Sequence, residues 1–140
     1  MNFLLDTNVI SETSKPTPNE GVIRWLAEVD EDRMFLSVAT LAELRYGIEG
    51  LPGGRRRSQL EQWLEIELTD RFAPRILDID IKIADAWGSL LASSMSEGRP
   101  VGVMDCFLAA TALANGMTLV TRDESDFISA RVAVLNPWKI

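Results

Sequence analysis

The sequence predicts an α/β fold built on a parallel sheet. Three observations predict it. Short apolar runs alternate along the chain with amphipathic segments, the pattern of strands separated by helices. Strands separated by helices favour parallel pairing through right-handed crossovers. The 140 residues fit one domain, residues 1–140; a chain of that size buries about two-thirds of its unfolded surface and builds a core without disulfides.

Each element has its own signal. Residues 2–5 (Asn-Phe-Leu-Leu) read as a buried first strand. Thr17-Pro18-Asn19-Glu20 reads as a capping box with proline at the first helical position, and Val22, Ile23, Leu26 and Val29 follow at helical spacing. Met34 to Val38 read as a second strand, and residues 39–49 as a helix ended near Gly50 and Pro52. Ser58 and Glu61 suggest another helix start, with Leu60, Trp63, Leu64 and Leu68 as its apolar face. Arg75 to Ile79 read as a short strand. Ile83, Ala84, Trp87, Leu90 and Leu91 mark a helix that stops at Gly98 and Pro100. Residues 104–115 form an alanine-rich helix ended by Gly116. Thr118 to Thr121 and Val132 to Leu135 read as the last two strands. No repeat, linker or low-complexity segment interrupts them.

Composition narrows the chemistry. Cys106 is the only cysteine, so no internal disulfide forms, as expected in a reducing compartment. No signal peptide is evident, and no apolar run reaches the roughly 18 residues that span a bilayer. A soluble, cytoplasmic protein away from membranes is expected. The chain has no histidine, which removes Ser-His-Asp and Cys-His catalysis and histidine metal ligands. What remains is carboxylates, a metal, hydroxyls, Lys or Arg. The net charge of −7, from 21 acids against 14 bases, taken alone speaks against nucleic-acid binding.

In parallel α/β sheets, ligands bind beyond the carboxyl ends of the strands. Asp6 ends the first strand and Asp123 follows the strand Thr118–Thr121. Glu43 lies in the helix directly after the second strand. Asp105 opens a helix and shares the stripe of Leu108 and Ala109. Each acid also has a plain structural reading: Asp6, Asp105 and Asp123 as caps, and Glu43 as partner of Thr40 in a capping box. Four acids at one sheet edge would repel one another, by ~4 kcal/mol for a pair ~4 Å apart near a surface. A hard cation such as Mg²⁺ or Mn²⁺ would relieve that.

The motifs Asp6-Thr7-Asn8-Val9, Glu43-Leu44-Arg45-Tyr46-Gly47, Asp105-x-x-Leu108-Ala109-Ala110-x-Ala112 and Thr121-Arg122-Asp123-x-x-Asp126-Phe127 resemble, in order and spacing, those of PIN-domain proteins. The ending Asn136-Pro137-Trp138 resembles that of the VapC- and FitB-type toxins within that family. The resemblance covers nearly the whole chain. It implies a three-layer α/β/α domain with a parallel central sheet, one or two Mg²⁺ or Mn²⁺ ions in the acid cluster and endonucleolytic cleavage of RNA. It also implies a cognate antitoxin and a homodimer. Asp6, Glu43, Asp105 and Asp123 map onto the family's acidic positions, with either Asp123 or Asp126 as the fourth ligand.

The chemistry expected is metal-assisted phosphodiester hydrolysis, with the carboxylates holding the ion and accepting a proton from water. Thr7, Asn8, Thr121 and Arg122 are candidates to orient a ligand or bind phosphate, though turn hydrogen bonding explains the first three equally well. Arg45 also flanks an acid motif, where it could touch phosphate or pair with the acids. The run Arg55-Arg56-Arg57 reads as a solvated surface. Trp25, Trp63 and Trp87 read as packing residues, and Cys106 as a buried thiol. An acid-pocket phosphatase, a receiver-like phosphoacceptor domain and a catalytically inactive PIN-like binding module are the alternatives. A receiver would want a lysine at the end of a late strand, and Lys15, Lys82 and Lys139 do not stand there.

Overall fold

Phe3–Leu5, the first strand (β1), is buried along its whole length. Burial on both faces is what a central parallel strand requires, and an unbroken apolar run supplies it. The computed structural model describes residues 1–140. Its strands are β1, β2 (Met34–Ser37), β3 (Ile76–Leu77), β4 (Thr118–Val120) and β5 (Val134–Leu135). They form one sheet in the order β3-β2-β1-β4-β5, and every pairing is parallel. The two edge strands are the shortest, which limits the unpaired backbone each edge exposes.

The helices are α1 (Thr7–Thr13), α2 (Glu20–Glu28), α3 (Val38–Glu49), α4 (Arg55–Gln62), α5 (Thr69–Phe72), α6 (Ile81–Ser96) and α7 (Val103–Asn115). A π-helical segment, Trp63–Leu68, joins α4 to α5. Side chains of β1 alternate between two cores, as the strand period demands. Phe3 and Leu5 face Val9, Val22, Trp25, Leu44, Leu64 and Phe72. Leu4 faces the other way, into Cys106, Leu108, Ala109 and Ala112 of α7, with Trp87 and Leu90 of α6 alongside. The sheet is thus the middle of three layers, α/β/α. Trp25 closes the first core edge-to-face on Phe3, at 5.1 Å between ring centroids, and Trp87 stacks on Phe107 at the same separation.

Local chemistry moves several element boundaries from their expected places. Helix α2 is capped by Asn19, whose Oδ1 accepts from the backbone N–H of Gly21 and Val22. Thr17 and Pro18 therefore precede the helix instead of opening it. Ser37 caps α3 by accepting from the Ala39 N–H at 3.0 Å, so the Thr40–Glu43 pair is not a capping box. Helix α4 starts at Arg55 behind Gly54, three residues before Ser58. Helix α1 was not expected at all; its seven residues bury only Val9, Ile10 and Glu12, too short a stripe to show a helical period. Gly116 ends α7 in the left-handed conformation, φ 62°, where a side chain is strained. At Gly21 a Cβ would lie 2.7 Å from the Pro137 carbonyl; glycine there lets the C-terminal turn lie on α2.

The strand order places the switch in chain direction between β1 and β4. From β1 the chain leaves on one side toward β2, and β4 is reached from the other side. A crevice opens at the carboxyl ends of such a pair.

Candidate active site

Asp6 occupies that crevice. The strand β1 delivers it, and the ladder continues through it, with the Asp6 N–H donating to the Val120 carbonyl at 2.9 Å. It also caps α1: Oδ1 accepts from the Thr7 N–H at 2.6 Å. Its second oxygen, Oδ2, accepts from the Thr121 hydroxyl at 2.7 Å. The side chain is buried. Burial raises its pKa to about 6, against the lowering effect of the Thr121 and Thr7 hydrogen bonds, and the charges of Glu43 and Asp123 add to the rise.

Glu43 reaches the site from the second turn of α3. Its Oε1 accepts from the Thr7 hydroxyl at 2.7 Å. Because Ser37 already caps α3, the Glu43 carboxylate is free for this cross-chain bond. Asp105, in the first turn of α7, is half-buried. Its pKa too is raised to about 6, first by burial and then by the charges of Asp6, Asp126, Glu43 and Asp123. The carboxylates of four separate segments thus act on one another electrostatically at one end of the sheet.

Asp123 and Asp126 occupy different positions in this field. Asp123 is exposed and held by the Asn8 side-chain amide, whose Nδ2 donates to Oδ2 at 3.1 Å. It adds to the field on Asp6, whereas Asp126 acts on Asp105 more strongly than Asp123 does. Thr121 links the parts: its Oγ1 donates to Asp6 and accepts from the Asp123 N–H at 3.1 Å. Thr7, Asn8 and Thr121 therefore make ties across the chain, beyond the turn bonds that sequence alone allowed. Spacing could not show them, because Thr121 and Asp6 lie 115 positions apart.

Residues 3–133 match the model of the PIN domain. The chain belongs to the PIN-domain family. Among its relatives, the VapC ribonuclease Y4jK of Sinorhizobium fredii is 38% identical over 98% of this chain and 98% of its own length. The toxin FitB of Neisseria gonorrhoeae is 40% identical over 97% of this chain and 98% of its own length. The crystal structure of FitAcB from Neisseria gonorrhoeae superposes with a TM-score of 0.92 at 39% identity, covering 99% of each chain.

On this PIN fold, the donor set suits a hard cation: carboxylate oxygens with no histidine or thiolate facing them. Two of the acids titrate near 6 because like charge and burial oppose their ionisation, a cost that bound positive charge removes. No three of the acids stand close enough to grip an ion by themselves. Both Asp6 oxygens and Glu43 Oε1 are already hydrogen-bonded. An ion that keeps part of its water shell matches such an open set better than one needing a closed protein cage.

The basic residues beside the PIN motifs point elsewhere. Arg45 pairs with Glu65 at 2.6 Å, on the π-helical segment and away from the acids. Arg122 lies over the Trp138 ring, 5.5 Å from its centroid, while its backbone N–H donates to Asn8 Oδ1. In the Arg55–Arg57 run, Arg57 pairs with Glu49 and Glu61 and Arg56 donates to the Ser14 carbonyl. Cys106 is fully buried, and burial pushes its thiol up to about 11; it is a packing residue.

Proposed function

We propose that the chain is one nuclease domain, residues 1–140, acting as the endoribonuclease toxin of a toxin–antitoxin pair. Asp6, Glu43, Asp105 and Asp123 or Asp126 form its catalytic and metal-holding set. The observation that carries this is the convergence of acids from β1, α3, α7 and the 124–130 segment on one sheet end, in a PIN-domain chain. The preferred ions are Mg²⁺ and Mn²⁺, for their affinity for oxygen donors. A bound divalent ion supplies Lewis acidity and positive charge. The protein supplies the rest. Thr121 and Thr7 fix the Asp6 and Glu43 oxygens. The Asp105 carboxylate has no side-chain hydrogen-bond partner, and as general base it takes the proton of the attacking water as the water oxygen bonds to phosphorus. The phosphorus–oxygen ester bond then breaks, and the leaving oxygen takes up a proton.

The same pocket suits inhibition by a cognate antitoxin. A basic side chain entering among the acids would satisfy their charge, and an arginine fork fits paired carboxylates better than a lysine. A homodimer in the cytoplasm completes the reading. The purified chain, given structured RNA with Mn²⁺ and, separately, a small phosphate ester, cleaves the RNA and leaves the ester. Ester hydrolysis without RNA cleavage would point to a phosphatase instead. Adding the product of the neighbouring antitoxin gene abolishes cleavage; full activity in a verified complex would rule out site blockade.

A further inference from the structure

Beside Asp105 the surface opens into a cavity of about 580 Å³, walled by Arg99, Gly102, Asp105, Ser125, Asp126 and Ser129. Pro100 and Ile128 add apolar surface to this mixed wall, which draws on the α6–α7 loop, the first turn of α7 and the 124–130 segment. Its volume lies within the ~300–1,000 Å³ of small-ligand sites.

Arg99 is the one basic residue in that wall. Its backbone is fixed on both sides. The N–H donates to the Ser94 carbonyl at 3.1 Å, and the carbonyl accepts from the Ser129 hydroxyl at 2.6 Å. Half of the other ten arginines are spent in ion pairs. Arg45, Arg57, Arg71, Arg75 and Arg131 each pair with a glutamate. Arg99 pairs with nothing, although two aspartates share its cavity. An exposed arginine with no ion pair thus stands in the wall that also carries Asp105 and Asp126. In a chain of net charge −7, a polyanion needs such a local cation to approach.

We propose that Arg99 is the residue that positions the RNA strand, its guanidinium binding, in this cavity, the phosphodiester that neighbours the one under attack. The assignment rests on the ribonuclease reading above. The fork of a guanidinium matches phosphate oxygens bidentately, and the Ser125 hydroxyl in the same wall offers a further donor. Arg99 acts on substrate placement and takes no proton, so its loss shows in binding and KM before kcat.

Two measurements test it. Binding of a labelled single-stranded RNA is followed by anisotropy against salt in the Asp105→Asn chain, with and without Arg99→Ala. Removing Arg99 weakens binding about tenfold, as for a charge-assisted contact. It also flattens the slope of log K against log salt by about 0.7, the share of one phosphate on a single strand. Arg99→Lys falls between. Arg24→Ala, which removes an exposed arginine on α2, leaves both unchanged. In the otherwise wild-type chain with Mn²⁺, Arg99→Ala raises KM about tenfold with kcat nearly constant, at an unaltered melting temperature. RNA cleavage and binding by Arg99→Ala that match Arg24→Ala would overturn the role of Arg99 while leaving the nuclease intact. A wild-type chain that neither binds nor cleaves RNA would overturn the ribonuclease reading, and the Arg99 role with it.

Discussion

Asp6 is the most constrained residue of the site. It ends a strand, caps a helix, accepts a hydroxyl across the sheet and remains buried. Its raised pKa makes a stability prediction. A carboxyl whose folded pKa is about 6, against 3.8 unfolded, binds more protons folded than unfolded between those values. Its contribution is full below about pH 4 and is lost as pH rises through 6. At 1.36 kcal/mol per unit, the loss from Asp6 is on the order of 3 kcal/mol. Asp105 moves in the same direction. Glu12 and Glu31 oppose it at low pH: their pKa values are lowered, chiefly by the hydrogen bonds of Lys15 and Arg71, so their contribution disappears as pH falls below the ordinary glutamate range. The metal-free protein should therefore melt highest at about pH 4–4.5, and Mn²⁺ should move that maximum toward neutrality. Melting curves across pH with and without Mn²⁺ check this; a metal-free maximum at pH 7 or above would contradict it. At the same scale, Thr121→Val removes a charge-assisted hydrogen bond from a buried carboxylate. It should cost about 1.5–3 kcal/mol, lift the Asp6 pKa further and lower cleavage, all measurable by denaturation, titration and rate.

Helix α3 shows how an element frees a functional group. With Ser37 as its cap, Glu43 need not close the helix end and turns to Thr7. Ser37→Ala should cost about 1 kcal/mol in chemical denaturation. Thr40 is buried and its hydroxyl has no partner, so Thr40→Val should be neutral or stabilising, as removal of an unsatisfied polar atom is. A capping role for Thr40 would reverse that order. The same helix marks a limit of sequence reasoning. Ser37 and Thr40 both precede apolar turns, and only the end of β2 decides which one caps. The long helices and central strands were legible because their apolar periods run for several turns or for a fully buried strand. Helix α1 was not, because its inward face is little more than Val9 and Ile10 beside the buried Glu12.

Across the whole molecule, strand order turns distant motifs into one site. Parallel pairing of β1 with β2 and β4 carries Asp6, Glu43 and Asp123 to the same end of the sheet, and the first turn of α7 carries Asp105 toward that end. Placement of the acids after strands was readable in the sequence, because side chains at strand ends follow the sheet rule. The cross-ties of Thr7, Asn8 and Thr121 were not, since they depend on pairing between segments far apart in the chain. Arg45 and Arg99 were not readable either. Arg45 flanks a motif but is held by Glu65, while Arg99 stands outside every motif, in the loop that walls the cavity beside Asp105. Charge logic at this scale makes the decisive prediction. Relieving repulsion should leave the fold intact while removing the chemistry, since asparagine keeps the shape of aspartate but not its charge. The most direct measurement is RNA cleavage by Asp105→Asn beside the wild type, in Mn²⁺ and in excess chelator, with melting temperatures taken in parallel. The metal-nuclease account predicts cleavage only by the wild type with metal, a mutant that melts at or above the wild type without metal, and a smaller Mn²⁺-induced rise for the mutant. Wild-type cleavage by Asp105→Asn, or cleavage that persists in excess chelator, would contradict it.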